Sequence, residues 1–163
     1  MKIWVPGDPV PEEITEFSFF DWVTDTIAVT SYARASSREV LDVENVEYVI
    51  SIGSLSPDRN LIGRDVVRAP NIEDATMDIG DGDILECVEA IIKHSKMGKT
   101  LVHCAAGVSR SPGFVMLALC LDRKWDWSHA KAYVVERRPV SDVHPVLEIR
   151  LTKWLDEYRK TPR

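Results

Sequence analysis

The chain has 163 residues, enough for one domain with a substantial core and too few for a second of ordinary size, so residues 1–163 are read as a single domain. Apolar residues make up 45% and charged residues 28%, the balance of a globular protein, and Lys+Arg 20 against Asp+Glu 26 leaves a net charge of -6. That excess of acid argues against nucleic acid or an anionic membrane as partner, while a local basic pocket stays open.

No apolar run reaches the roughly 18 residues of a membrane span. The opening Met1-Lys2-Ile3-Trp4-Val5 is broken by Pro6 before it has the length of a signal peptide. Cys87, Cys104 and Cys120 are odd in number and too far apart for a CxxC pair, which fits a reducing cytoplasm. Cys87 and Cys120 fall in apolar helical patterns and read as core.

Lys2 to Val5 predicts a short strand, and Pro6-Gly7-Asp8-Pro9-Val10-Pro11 a turn-rich connector. Between Glu12 and Trp22, Ile14, Phe17, Phe19, Phe20 and Trp22 are spaced irregularly. The expectation is a loop with one helical turn whose aromatics pack under a sheet. Ile27 to Thr30 is the next strand, after which Ser36 or Ser37 caps a short helix through Leu41. Val46 to Ile52 is β-branched and bounded by Gly53, hence a strand. Ser54 to Gly63 reads as a polar loop and Val66 to Pro70 as a strand ended by its proline. The loop that follows carries Glu73, Asp74, Asp78, Asp81 and Asp83.

Ile84, Cys87, Val88, Ile91 and Ile92 recur at i, i+3, i+4, i+7 and i+8, one face of an amphipathic helix that stops at Gly98. Thr100 to His103 is a strand. Pro112 then sits in the first turn of a helix whose Phe114 to Leu121 stretch is almost wholly apolar, so that helix is expected to be central and buried. Ser128 caps another helix that ends at Arg137-Arg138-Pro139. Pro145 opens the last, with Leu147, Leu151, Trp154, Leu155 and Tyr158 on one face. This alternation predicts an α/β fold with a central, mostly parallel sheet flanked by helices.

The Thr100–His103 strand and the apolar helix meet at His103-Cys104-Ala105-Ala106-Gly107-Val108-Ser109-Arg110-Ser111. Five residues separate Cys104 from Arg110. A loop wound around one centre over that span aims its peptide N–H groups inward, and the helix N-terminus adds partial positive charge. Such a nest suits a phosphate dianion. Arg110 adds a planar fork that grips two phosphate oxygens, and Gly107 relieves the backbone where the loop is tightest. The same field favours a thiolate at Cys104, an anionic nucleophile. Ser111 can donate its hydroxyl to that sulfur when it leaves.

These nine residues resemble the signature of the cysteine-dependent protein phosphatases, His-Cys-x5-Arg-Ser/Thr, and the wording from Ala105 to Ser111 is most similar to the dual-specificity branch. The order strand, aspartate loop, helix, strand, phosphate loop, helix resembles that family's fold over most of the chain. So do the Ser128-His129-Ala130 start and the Arg137-Arg138-Pro139 stop of the late helix. The chain departs at Asp142-Val143-His144-Pro145, where family members often carry an Asn-Pro-Gly-like stretch.

The resemblance implies two-step hydrolysis of phosphotyrosine, and of phosphoserine and phosphothreonine, in phosphorylated proteins. Cys104 would attack phosphorus while Arg110 and the N–H groups of Ala105, Ala106, Gly107, Val108, Ser109 and Arg110 hold its oxygens. No cofactor is implied, and His94, His129 and His144 show no metal-ligand spacing. Phosphoinositide and RNA 5′-phosphate substrates rank lower, because Ala105, Ala106, Val108 and Ser109 offer no lysine to further phosphates. A phosphate-binding module without turnover is the alternative from outside the enzymes.

Expelling an alcohol or phenol calls for a carboxylic acid on a loop facing Cys104. Asp74 follows soon after Pro70, and Cys87-Val88-Glu89-Ala90-Ile91 comes after it at the separation the family shows. It is the first choice, with Asp78 second. Asp81 and Asp83 read as residues favoured by a helix N-terminus, and Glu73 as a solvated charge. His103 can hydrogen-bond nearby backbone and hold the loop. Arg137 and Arg138 either widen a basic rim or stabilise a helix C-terminus.

Overall fold

The computed structural model describes residues 19–162. The expected strand at Lys2 to Val5 and its proline-rich connector lie outside them. Five strands form one sheet in the order β1-β2-β5-β3-β4, comprising β1 (Asp21–Trp22), β2 (Ile27–Thr30), β3 (Tyr48–Ile52), β4 (Asp65–Ala69) and β5 (Thr100–His103). Only β1 runs antiparallel to its neighbour. The central place belongs to β5, which pairs His103 with Thr30 on one side and with Ser51 on the other. Its end is therefore fixed by two neighbours, and the loop that leaves it starts from a rigid base.

Side chains alternate across these strands, and the alternation divides the core in two. Ile27, Val29, Ile50, Ile52 and Val102 join the larger cluster, under the four later helices: α4 (Asp81–Met97), α5 (Arg110–Arg123), α6 (Trp127–Arg137) and α7 (Pro145–Lys160). Ala28, Val49 and Leu101 face the smaller cluster, built with Ala35, Leu41 and Ile62 from α1 (Tyr32–Ala35), α2 (Arg38–Val43) and α3 (Arg59–Ile62). With both faces covered, β2 and β5 are buried throughout, as parallel strands are. Residues 111–120 of α5 are all buried, which explains their nearly continuous apolar run.

Ser37 caps α2 through a bond from the Val40 N–H, and Gly98 follows the end of α4, as the sequence predicts. Three expectations need correction. Asp21 and Trp22 form a strand inside the expected loop, because backbone pairing with Val29 and Ala28 outweighs an uninformative side-chain pattern. Arg59–Ile62 is a turn of helix within the expected polar loop, capped by Asp58 and ended by Gly63 at φ 69°. A further short helix, Tyr32–Ala35, is capped by Ser31. Asp126, not Ser128, caps α6: its carboxylate accepts from the His129 N–H at 2.8 Å and from the Ser128 hydroxyl at 3.0 Å.

Phe20 and Trp22 pack against the smaller core, whereas Phe19 is exposed; Ile14 and Phe17 lie outside the described residues. Cys87 and Cys120 are buried free thiols. Burial raises both, Cys120 to about 11, so neither is poised for chemistry at neutral pH. Among the described residues no helix is long and apolar enough to cross a membrane.

Candidate active site

Residues 104–109 connect β5 to α5, and each backbone carbonyl from 104 to 108 is held by a donor outside the loop's centre. The Cys104 carbonyl accepts from His103 Nδ1 at 2.9 Å, and that of Ala105 from the Tyr32 N–H at 2.8 Å. Arg138 takes the next two, with Nη2 at 3.3 Å from the Ala106 oxygen and Nε at 2.7 Å from that of Gly107. The Asp142 N–H bonds the Val108 oxygen at 2.7 Å. In a trans peptide the C=O of one residue and the N–H of the next point in opposite directions. Anchoring five carbonyls outward therefore turns the N–H groups of Ala105, Ala106, Gly107, Val108 and Ser109 inward. Gly107 makes the tightest step at φ 71°, where a Cβ would come within 2.6 Å of the Thr30 oxygen.

Cys104 lies at the bottom, 3% exposed. Its Sγ is 3.2 Å from Ser111 Oγ and 3.5 Å from the Ser111 N–H, in the first turn of α5. Arg110 opens that helix and extends along the neighbouring loop after β3. Gly53 there has φ 102°, and a Cβ on it would overlap the Arg110 guanidinium. Arg110 Nε is buried without a hydrogen bond among the described residues and stands 3.7 Å from Asp74 Oδ2. The other Asp74 oxygen accepts from Ser109 Oγ at 2.6 Å. Ser109 in turn accepts from the His144 N–H at 2.9 Å.

His103 is fully buried beneath this loop. Because its Nδ1 donates to a carbonyl, its Nε2 is the acceptor for the Ser51 hydroxyl at 2.6 Å. Burial lowers its pKa to about 4, against a backbone bond that raises it, and the Arg110 charge lowers it further. The imidazole is thus neutral near pH 7 and braces the strand end without adding charge.

A family model described as dual specificity phosphatase, catalytic domain, matches residues 27–161. The chain belongs to this family. It is 27% identical over 124 residues to the tyrosine-protein phosphatase yvh1 of Schizosaccharomyces pombe, a match covering 71% of this chain and 35% of that protein. The chain thus spans about a third of the length of that curated relative. Among solved structures, the human tyrosine phosphatase-like serine/threonine/tyrosine-interacting protein superposes with a TM-score of 0.74 at 21% identity, covering 86% of this chain and 97% of that one. A mouse putative dual specificity phosphatase complexed with zinc tungstate gives 0.75 at 19% identity, covering 96% and 93%. These two likenesses concern the fold.

Within this dual specificity phosphatase domain, Cys104, Arg110, Ser109, Ser111, His103 and Asp74 all converge on one end of the sheet. Asp78 does not join them in the same way: it is exposed, and its N–H bonds Thr76 Oγ1 at 3.0 Å. Asp81 starts α4 and pairs with buried Arg150 at 2.6 Å, so it serves the helix and the packing of α7. Arg138 stands at the C-cap of α6, and its side chain is buried where a rim charge would be exposed. It is 0% exposed, and besides the two loop carbonyls it reaches the Phe19 oxygen at 2.8 Å and Asp21 Oδ2 at 2.9 Å. Burial lowers its pKa, and Asp21 and the charge of Cys104 act against that.

Ser51, Gly53 and Tyr32 carry no signal at the sequence level, since they act through a buried hydroxyl, a missing Cβ and a backbone N–H. Arg138 offers one faint cue, a cation held beside a proline at the end of an apolar-faced helix.

Arg138→Met should lower unfolding free energy by about 3–5 kcal/mol in urea titration, because Asp21 and the loop carbonyls lose their partner, and vanadate affinity should fall with it. The folded state keeps His103 neutral down to about pH 4, whereas the unfolded side chain protonates near 6.5. The unfolded chain therefore binds more protons in that window, and stability falls as pH drops from about 6.5 to about 4. Thermal melts of His103→Gln should show a smaller drop than wild type over that range.

Proposed function

We propose that this domain hydrolyses phosphate monoesters of proteins, phosphotyrosine together with phosphoserine and phosphothreonine, through a cysteinyl-phosphate intermediate. The observation that carries the reading is the set of outward-tied carbonyls around Cys104, which leaves inward N–H groups and the Arg110 fork for the equatorial oxygens of a phosphoryl group. Cys104 Sγ attacks phosphorus and the ester P–O bond breaks. Asp74 gives its proton to the departing oxygen. Asp74 then takes a proton from water as that water attacks phosphorus and the P–S bond breaks, with Ser111 Oγ stabilising the sulfur that leaves.

Charge in this transition state spreads over the oxygens that the loop faces, so positioning and electrostatics supply most of the acceleration. No lysine lies among Ala105, Ala106, Val108 and Ser109, which favours a single phosphate on a protein over a polyphosphorylated lipid or RNA end. Three free thiols support work in a reducing compartment such as the cytoplasm.

With a phosphotyrosine peptide and 4-nitrophenyl phosphate under reducing conditions, Asp74→Asn should slow turnover by roughly 10²–10⁴, whereas Asp78→Asn should change it little. The reverse would move the acid to Asp78. Cys104→Ser should abolish turnover while still binding phosphate or vanadate, because the nest and Arg110 persist. Turnover retained by that variant rejects the covalent route, and a wild-type protein that binds vanadate but hydrolyses neither substrate is a binding module.

A further inference from the structure

Among the described residues β4 is an outer strand, paired with β3 and with nothing on its other side. The Gly53 N–H donates to the Ala69 carbonyl at 2.9 Å, so the peptide groups of Ala69, and by alternation those of Val67 and Asp65, turn toward β3. Those of Val66 and Arg68 turn outward, and no hydrogen bond among the described residues uses them. A cleft opens on each side of this edge. On the side of the smaller core, about 500 Å³ is bordered by Ser54, Ser56, Arg59, Val66 and Arg68. On the α4 side, about 170 Å³ is bordered by Val67, Ala69 and Cys87, with Asp83, Glu86 and again Arg68. Arg59, Arg68, Asp83 and Glu86 take part in no ion pair among the described residues.

We propose that β4 is a docking edge for protein substrates, where an extended segment of the phosphoprotein adds as a further strand and sends alternate side chains into the two clefts. This rests on the reading of the domain as a phosphatase of proteins. Main-chain bonds to Val66 and Arg68 give such pairing its affinity, and the clefts give it a preference. A lysine or arginine on the α4 side lays its methylenes along Val67 and Ala69 and brings its charge to Asp83 and Glu86. An acidic side chain one residue away faces Arg59 and Arg68. Asp65 and Pro70 bound the open stretch, and Pro70 has no N–H, so pairing stops after a few residues. Because β3, β4 and β5 are parallel, the Ala69 end of β4 lies at the same end of the sheet as Cys104. Ser54 in the larger cleft follows Gly53, against which Arg110 lies. An added strand stands three strand spacings from β5, about 14 Å, a gap that about four extended residues cross.

The test is an N-methyl scan of a phosphotyrosine peptide, read on wild-type protein as kcat/KM relative to that on 4-nitrophenyl phosphate. In a paired strand only alternate N–H groups meet the neighbour. Methylation at every second residue of a stretch about four residues from the phosphotyrosine should therefore lower the ratio about tenfold, and at the residues between much less. Within that stretch, Lys in place of Glu on the α4 side should raise the ratio about threefold, and Glu86→Lys should reverse the preference. A scan without alternation overturns the proposal, as does a Lys preference that Glu86→Lys leaves intact. A protein that sediments as a dimer and shows no alternation carries a second copy on this edge, and the proposal falls. If no phosphopeptide is hydrolysed while 4-nitrophenyl phosphate is, the reading as a protein phosphatase falls first and the proposal with it. The scan needs no variant, so it decides the matter even where Glu86→Lys fails to fold.

Discussion

The chemistry of this domain depends on peptide planes turned one way. Every carbonyl from Cys104 to Val108 is bonded outward, and the five share partners from four segments: the end of β5, the start of α1, the residue after α6, which takes two, and the stretch before α7. A buried carbonyl without a partner costs about 1–3 kcal/mol, so these bonds are required by burial as well as by function. What remains inside the loop is a cluster of N–H dipoles facing a sulfur. That arrangement would collapse around no ligand in water, and it persists here because the rest of the fold holds the opposite end of each dipole.

Two buried arginines show how distant chain segments serve the site. Arg138 joins the loop to Phe19 and Asp21, more than a hundred residues upstream, and Arg150 joins α7 to the Ile79 oxygen and Asp81 at the close of the aspartate segment. Desolvating a guanidinium is costly, and each is matched by several carbonyl or carboxylate acceptors that satisfy its fixed fork. The partner carboxylate is partly buried for Asp21 and exposed for Asp81, so in both cases the charge is balanced without a second fully desolvated ion.

Asp74 shows how a residue outside any strand or helix is held from elsewhere. Here the carboxylate is gripped by a serine on the nucleophile's loop, itself gripped by the rim segment. The aspartate segment, the loop after β5 and the stretch before α7 are thereby registered to one another by hydrogen bonds.

Strong periodicity and strong chemistry were legible in the chain. The amphipathic face from Ile84 to Ile92, the apolar run after Pro112, the β-branched strand before Gly53 and the motif from His103 to Ser111 all follow from local spacing, and they are enough to imply the α/β sheet and the phosphate nest. Short elements were not legible: Asp21–Trp22 is a strand only because β2 lies beside it, and Arg59–Ile62 has too few residues to show a period. The choice of Asp74 over Asp78 came from family spacing and not from the residues themselves. Only the tertiary structure revealed that Arg138 is a buried strut, that Ser51 holds His103, and that Ser109 bonds Asp74 in place of its own helix. Sequence records which groups are present and how they repeat locally, whereas hydrogen bonds between residues tens of positions apart exist only once packing has brought donor and acceptor together.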